Sequence, residues 1–140
     1  MAVHYADTLK QARMQEVIDA VDDHATIEGY IEIGTGPATA TSIGTSLVSI
    51  DLEDPSFAAP TTAGVINMHI TAPKTGLDGI ATGTGTAAVA RICDGADAVV
   101  VWGLVVGTAI GPGVEIALSA LAISSGQTVT LTAGTITHAT

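Results

Sequence analysis

The sequence predicts a mainly β protein: an N-terminal amphipathic helix followed by an antiparallel β-sandwich or barrel of about eight strands. Three observations carry that expectation. Apolar residues recur at helical spacing only near the N-terminus. From residue 26 onward they alternate with polar residues or gather in short apolar runs, as strands do. Gly, Pro, Asp and Ser clusters then punctuate those runs at regular intervals, the pattern of an all-β domain.

The helix is expected over Asp7 to Val21, where Met14, Val17, Ile18 and Val21 share one face and Leu9 lies a turn earlier. Asp7 suits the N-cap. Asp22, Asp23 and His24 end the helix, because acids sit badly against the negative C-terminal end of the helix dipole. Thr26 to Ile33 alternates, with Ile27, Gly29, Ile31 and Ile33 opposite Thr26, Glu28, Tyr30 and Glu32. Leu47 to Leu52 repeats the pattern, and Ile66, Met68 and Ile70 face away from Asn67 and His69. Further strands are expected at Thr86–Cys93, Val99–Val106, Val114–Ile123, Thr128–Thr132 and Gly134–His138. Turns are expected at Gly34–Pro37, Asp54–Ser56, Asp78-Gly79, Asp94-Gly95 and Ser124–Gln127. The organisation is thus a helix or arm over residues 1–25 and a single β-rich domain over 26–140.

Composition narrows the function. The 140 residues suit one domain, and charged residues make up only 13% of them, about half the usual share of roughly 25%. Fourteen acids face four bases, for a net charge of -10 and a pI near 4.3. Affinity for nucleic acid comes mostly from Lys and Arg neutralising phosphates, so this balance argues against it. The single cysteine, Cys93, can form neither an internal disulfide nor a zinc cage. Residues 1–20 are charged throughout and lack the apolar core of a signal peptide. The most apolar run, Ala98 to Val114, is shorter than the ~20 residues of a spanning helix and is broken by Gly111-Pro112-Gly113. Synthesis in the cytosol and no membrane span are the expectations.

Charge is also unevenly placed. Ten of the fourteen acids lie within residues 1–54, and after Asp97 only Glu115 is charged. A compact domain of this size still exposes about 30% of its unfolded-chain surface. The C-terminal segment is therefore expected to turn an uncharged face toward another subunit or a larger assembly.

No catalytic, cofactor-binding or metal-binding residue is singled out. Gly83 to Ala88 has the outline of a dinucleotide loop, but no strand precedes it and no helix is expected after it. Asp19, Asp22, Asp23 and His24 lack the ordered oxygens of a calcium loop and read as a solvated helix end. Asp51, Glu53 and Asp54 read as a charged strand end. His4, His24, His69 and His138 share no ligand spacing, and no nucleophile motif accompanies them. Cys93 reads as a small buried hydrophobe. Trp102, the one tryptophan, sits in a continuous apolar run and reads first as core packing, with an interface anchor as the alternative. The interface candidates are Leu9, Met14, Val17, Ile18, Trp102 and Val105.

The order of the pieces carries a resemblance. The chain opens MAVHYADTLKQARMQEVIDAVDD and continues through YIEIGTGPATATSIGT and LVSIDLEDPSF. A Thr/Gly/Ala-rich middle follows, ATGTGTAAVARICDGADAVVVWGLVVGT, and the chain closes with IALSALAISSGQTVTLTAGTITHA. Over nearly its whole length this layout resembles small virion proteins of long-tailed bacteriophages, whose genes typically lie among the head genes. The resemblance rests on element order and phrases such as GQTVTLTAGTITHA, without an active-site signature. It implies a non-enzymatic minor capsid or decoration protein that binds the major capsid protein on the outer head lattice, commonly as a homotrimer, and resides in the virion. The helix, with Lys10 and Arg13, would then grip the capsid, and deleting residues 1–21 is expected to abolish binding but leave a folded oligomer. Another virion component (tail tube, head–tail connector or fibre base) and a small β-barrel binding module are the alternatives.

Overall fold

The computed structural model describes residues 3–138, so the first two and last two positions of the two expected segments lie outside the described residues. Helix α1 (Asp7–Val21) leads into β1 (Tyr30–Gly34), β2 (Ser46–Asp51), β3 (Val65–Asn67), β4 (Leu77–Ile80) and β5 (Gly85–Thr86). There follow β6 (Val89–Cys93), β7 (Val99–Gly107), β8 (Ile116–Leu118), β9 (Ala122–Ile123) and β10 (Thr128–Thr137). The protein is mainly β, with one N-terminal helix and a curled mixed sheet of about eight strands that forms a half-barrel.

The helix begins and ends where its sequence stops it. Ala6, in extended conformation, takes the N-cap position, and Asp7 is the first helical residue, paired with Lys10 at 3.3 Å. Asp7 therefore serves the positive end of the dipole rather than the cap itself. At the other end the Asp22 N–H donates to Ile18 O at 2.9 Å, and the chain turns away. Met14, Ile18 and Val21 are buried. They belong to the same apolar cluster as Phe57 and as Ile31, Ile50, Ile66 and Leu131 of the sheet. The helix lies against β3 and β7 and is an integral part of the core.

The sheet runs β2-β1-β6-β7-β8-β10-β3, and β4 pairs with the first half of β10. β5 and β9 form a separate two-stranded ladder. The expected alternation holds in β1 and β2, where Ile31, Ile33, Val48 and Ile50 are fully buried and Ser49 and Asp51 are exposed. Ile27 lies outside the strand and is exposed. The last two expected strands are one, β10, with its register shifted between Leu131 and Ala133. Conversely, Thr86–Cys93 and Val114–Ile123 are each split.

Two expectations are corrected. The sheet is not wholly antiparallel, since Val106 and Gly107 pair in parallel with Ile116 and Ala117. Parallel strands ordinarily need a crossover of a dozen or more residues. A shorter loop, residues 108–115, suffices here because only two residues of each strand pair and Gly113 takes a positive φ of 73°. Asp78-Gly79 is also not a turn but the middle of β4. A Cβ on Gly79 would stand 2.7 Å from both Ile50 Cγ1 and Ser49 O, and one on Gly83 would collide with Ser46 O. Glycine is what lets β4 and its continuation close against β2. Thr82 N and Gly83 N then donate to Leu47 O at 2.9 and 3.1 Å, bridging the seam of the half-barrel.

Candidate functional site

The most distinctive surface is built by β7. The sequence run Val99–Val106 promised burial on both faces, yet only Leu104 and Val106 are buried. The cause is a bulge in the β6–β7 ladder. Arg91 pairs with Trp102 and Ala90 with Leu104, which leaves Gly103 unpaired between them at a φ of 78°. A bulge with glycine in the left-handed region bends the strand and re-aims its neighbours. Trp102 points outward with its ladder partner Arg91, 51% exposed, and the bulge brings Val105, 42% exposed, to the same side, with Ile110 at 39% further along the chain. Core packing of Trp102 is thus overturned. No charged side chain falls between Asp97 and Glu115, and the Glu115 carboxylate is held by the Val105 N–H at 2.7 Å. The C-terminal segment is also not all interior, since its surface is covered by Thr, Ser, Gly and Ala.

The helical interface candidates divide. Met14 and Ile18 are buried against the chain's own core, and Val17 packs beside them. Met14 and Ile18 offer no surface to a partner, and Val17 is half-buried. Leu9 alone of the four is exposed.

The polar clusters are tied within the chain. Asp22 accepts the Ser56 N–H with both carboxylate oxygens, at 3.2 and 3.1 Å. Asp19 accepts from Gln15, and His24 Nδ1 accepts the Ile27 N–H at 3.1 Å. A groove of about 550 Å³ lies between β2, β4 and the loop around Thr71, and Asp51, Glu53, Asp54, Asp78 and Lys74 line it. Glu53 is its fixed point. The hydroxyl and N–H of Thr71 donate to it at 2.5 and 2.7 Å, and Lys74 Nζ lies 2.9 Å away. These donors, the Thr71 hydroxyl foremost, hold the Glu53 carboxyl down at about 2. His69 Nδ1 stands 3.6 Å from the same carboxylate. The Thr71 hydroxyl donates to the carboxylate instead of to the imidazole, so this is not the order in which a base activates a nucleophile. Among the described residues no three His, Cys, Asp or Glu side chains converge to hold a metal.

Tyr30 and Cys93 pair at the end of the β1–β6 ladder beside Asp97, which accepts the Tyr30 hydroxyl at 3.1 Å. Burial is the main cause that pushes both the phenol and the thiol up, so Cys93 stays a neutral thiol. Gly83 to Ala88 enters β5, which pairs with β9, and no helix follows to receive a pyrophosphate. Among the described residues no helix is long and apolar enough to cross a membrane.

The exposed β7 face was hidden from sequence reading because a run of valines does not say where a bulge falls. Gly103 beside Trp102 was the available signal, since an isolated glycine inside a strand marks a bulge. Comparison of the chain with protein-family models, curated proteins and solved structures gave no match.

Proposed function

We propose that the chain is a structural protein of a long-tailed bacteriophage particle, a minor capsid or decoration protein that binds the major capsid protein on the outer head lattice. The observation that carries the reading is the outer side of β7, a strand without charged residues, which presents the single tryptophan half-exposed on an acid-rich chain. Monomeric proteins seldom leave such a surface uncovered. Many weak apolar contacts, one per copy, sum to firm attachment on a repeating lattice. The layout of the sequence supplies the kind of assembly, by its resemblance to small phage virion proteins.

The test is co-sedimentation with DNA-free heads assembled from the major capsid protein of the same phage. Saturable binding in a fixed ratio to capsid subunits, with added resistance of the heads to heat, is the expected result. Heads that leave all of the protein in the supernatant refute the proposal.

A further inference from the structure

The half-barrel is fastened at one point of its seam and open below it. In the β1–β2 ladder Ile50 pairs with Ile31, and the Leu52 N–H donates to Gly29 O at 2.9 Å. Backbone groups alternate sides along a strand, so those of Ser49 and Asp51 point away from β1. In the β4–β10 ladder Gly79 pairs with Val129, and the Ala81 N–H donates to Gln127 O at 2.8 Å. The backbone groups of Asp78 and Ile80 therefore point away from β10, on the side where the Thr82 N–H reaches Leu47 O. Below that point no ladder joins the two strands, since β2 ends the sheet and β4 pairs with β10 alone. They touch once more at Gly79, where a Cβ would stand 2.7 Å from Ser49 O. Past it lies the groove of about 550 Å³, which Asp51 and Asp78 both line.

Strand edges with free N–H and C=O groups are what an extended segment adds to, and the charges around this edge choose the segment. Glu28, Asp51, Glu53, Asp54 and Asp78 line the groove with a single base, Lys74, which is tied to Glu53. The chain has no spare base to balance the rest. Lys10 pairs with Asp7 and Arg91 with Glu32, and Arg13 lies 4.3 Å over the Tyr5 ring. We propose that the open seam receives an extended, lysine- or arginine-bearing segment of a partner protein, which adds to the free edge of β2 at Asp51 and sets alternate side chains against Asp51, Asp54 and Asp78. Main-chain hydrogen bonds supply the attachment, and the carboxylates supply the preference for a basic segment. A cleft lined by charge of one sign also draws such a segment in from a distance. This contact is separate from the outer side of β7 and does not depend on the partner being a capsid protein.

The probe is a short dye-labelled peptide that alternates lysine with threonine, followed by fluorescence anisotropy. It should bind saturably, one per chain, and less tightly as salt rises. Asp51→Asn combined with Asp78→Asn should weaken binding roughly tenfold, because two partly screened charge pairs are lost. The asparagine at position 78 still accepts the Thr130 hydroxyl that Asp78 accepts. Asp19→Asn combined with Asp23→Asn removes the same charge from exposed positions outside the groove and should change affinity by less than about twofold. The same peptide N-methylated at alternate residues keeps its charge but loses N–H donors, and should bind roughly tenfold more weakly. Asp51→Asn alone, at an exposed side chain, repeats the test should the double variant not fold. Absence of saturable binding overturns the proposal, as does equal weakening by the Asp19 and Asp23 substitutions, or an N-methylated peptide that binds as tightly as its parent. Heads that ignore the protein sink only the virion reading, and a peptide that ignores the groove sinks only this one.

Discussion

Ile18→Ala tests whether α1 belongs to the core or hangs from it as an arm. Ile18 is 4% exposed and packs in one cluster with the sheet. The substitution removes three carbons, at about 0.8 kcal/mol each, and leaves a cavity that raises the loss to about 3 kcal/mol. Unfolding entropy is roughly 2.1 cal/mol/K per residue, so 140 residues give about 0.3 kcal/mol/K and a fall in Tm of about 10 °C. Leu9→Ala, at a position 42% exposed on the same helix, should move the Tm by no more than about 2 °C. Thermal melts followed by helical and by β circular dichroism bands should remain one transition for both variants. An Ile18→Ala protein that melts within 2 °C of wild type, or loses its helix in a separate earlier step, refutes the reasoning. The same packing corrects the expectation that residues 1–21 can be deleted cleanly, because that deletion strips Met14, Ile18 and Val21 from the core.

Gly79→Ala should lower the urea midpoint by the equivalent of about 2 kcal/mol, since the new Cβ meets the Ser49 carbonyl and the Ile50 side chain across the seam. Gly103→Ala has open space around it and should cost only the left-handed backbone, about 1 kcal/mol; equal losses would contradict the account of the seam. Ser56→Ala should be neutral or stabilising by up to about 1 kcal/mol, because the Ser56 Oγ is buried without a partner while its N–H keeps Asp22. A clear loss in chemical denaturation would show that the hydroxyl is used. Glu53 is held at about 2, below its ordinary 4.5, so its stabilising effect is present above pH 4.5 and is lost as pH falls toward 2. Glu53→Gln should therefore melt below wild type at pH 7 and converge with it near pH 2; a constant gap across that range would contradict the assignment.

What could be read from the sequence followed periodicity. The helix from Asp7 to Val21 and the alternation of β1 and β2 were legible because each buries one face and leaves the other wet. Asp78-Gly79 was misread because Asp-Gly is a common turn pair, and the need for glycine at a close strand approach shows only once β2 lies beside it. The valines of β7 suggested burial on both faces, but Trp102 shares the outer side with Arg91, and the bulge at Gly103 brings Val105 to that side as well. Met14 and Ile18 were ambiguous for a related reason, since an apolar helix stripe looks the same whether it meets its own sheet or a partner. The links of Glu53 to Thr71 and Lys74 join separate loops and leave no local signal.

The central claim is that this acidic chain works in an assembly, with the half-exposed Trp102 and Val105 of β7 covered by a neighbouring subunit. Light scattering at micromolar concentration, at low and at high salt, tests it most directly. A stable multiple of the 13.9 kDa chain mass that does not fall as salt rises is the expected result, because salt screens charged contacts and spares apolar ones. A single chain at both salt levels would contradict it.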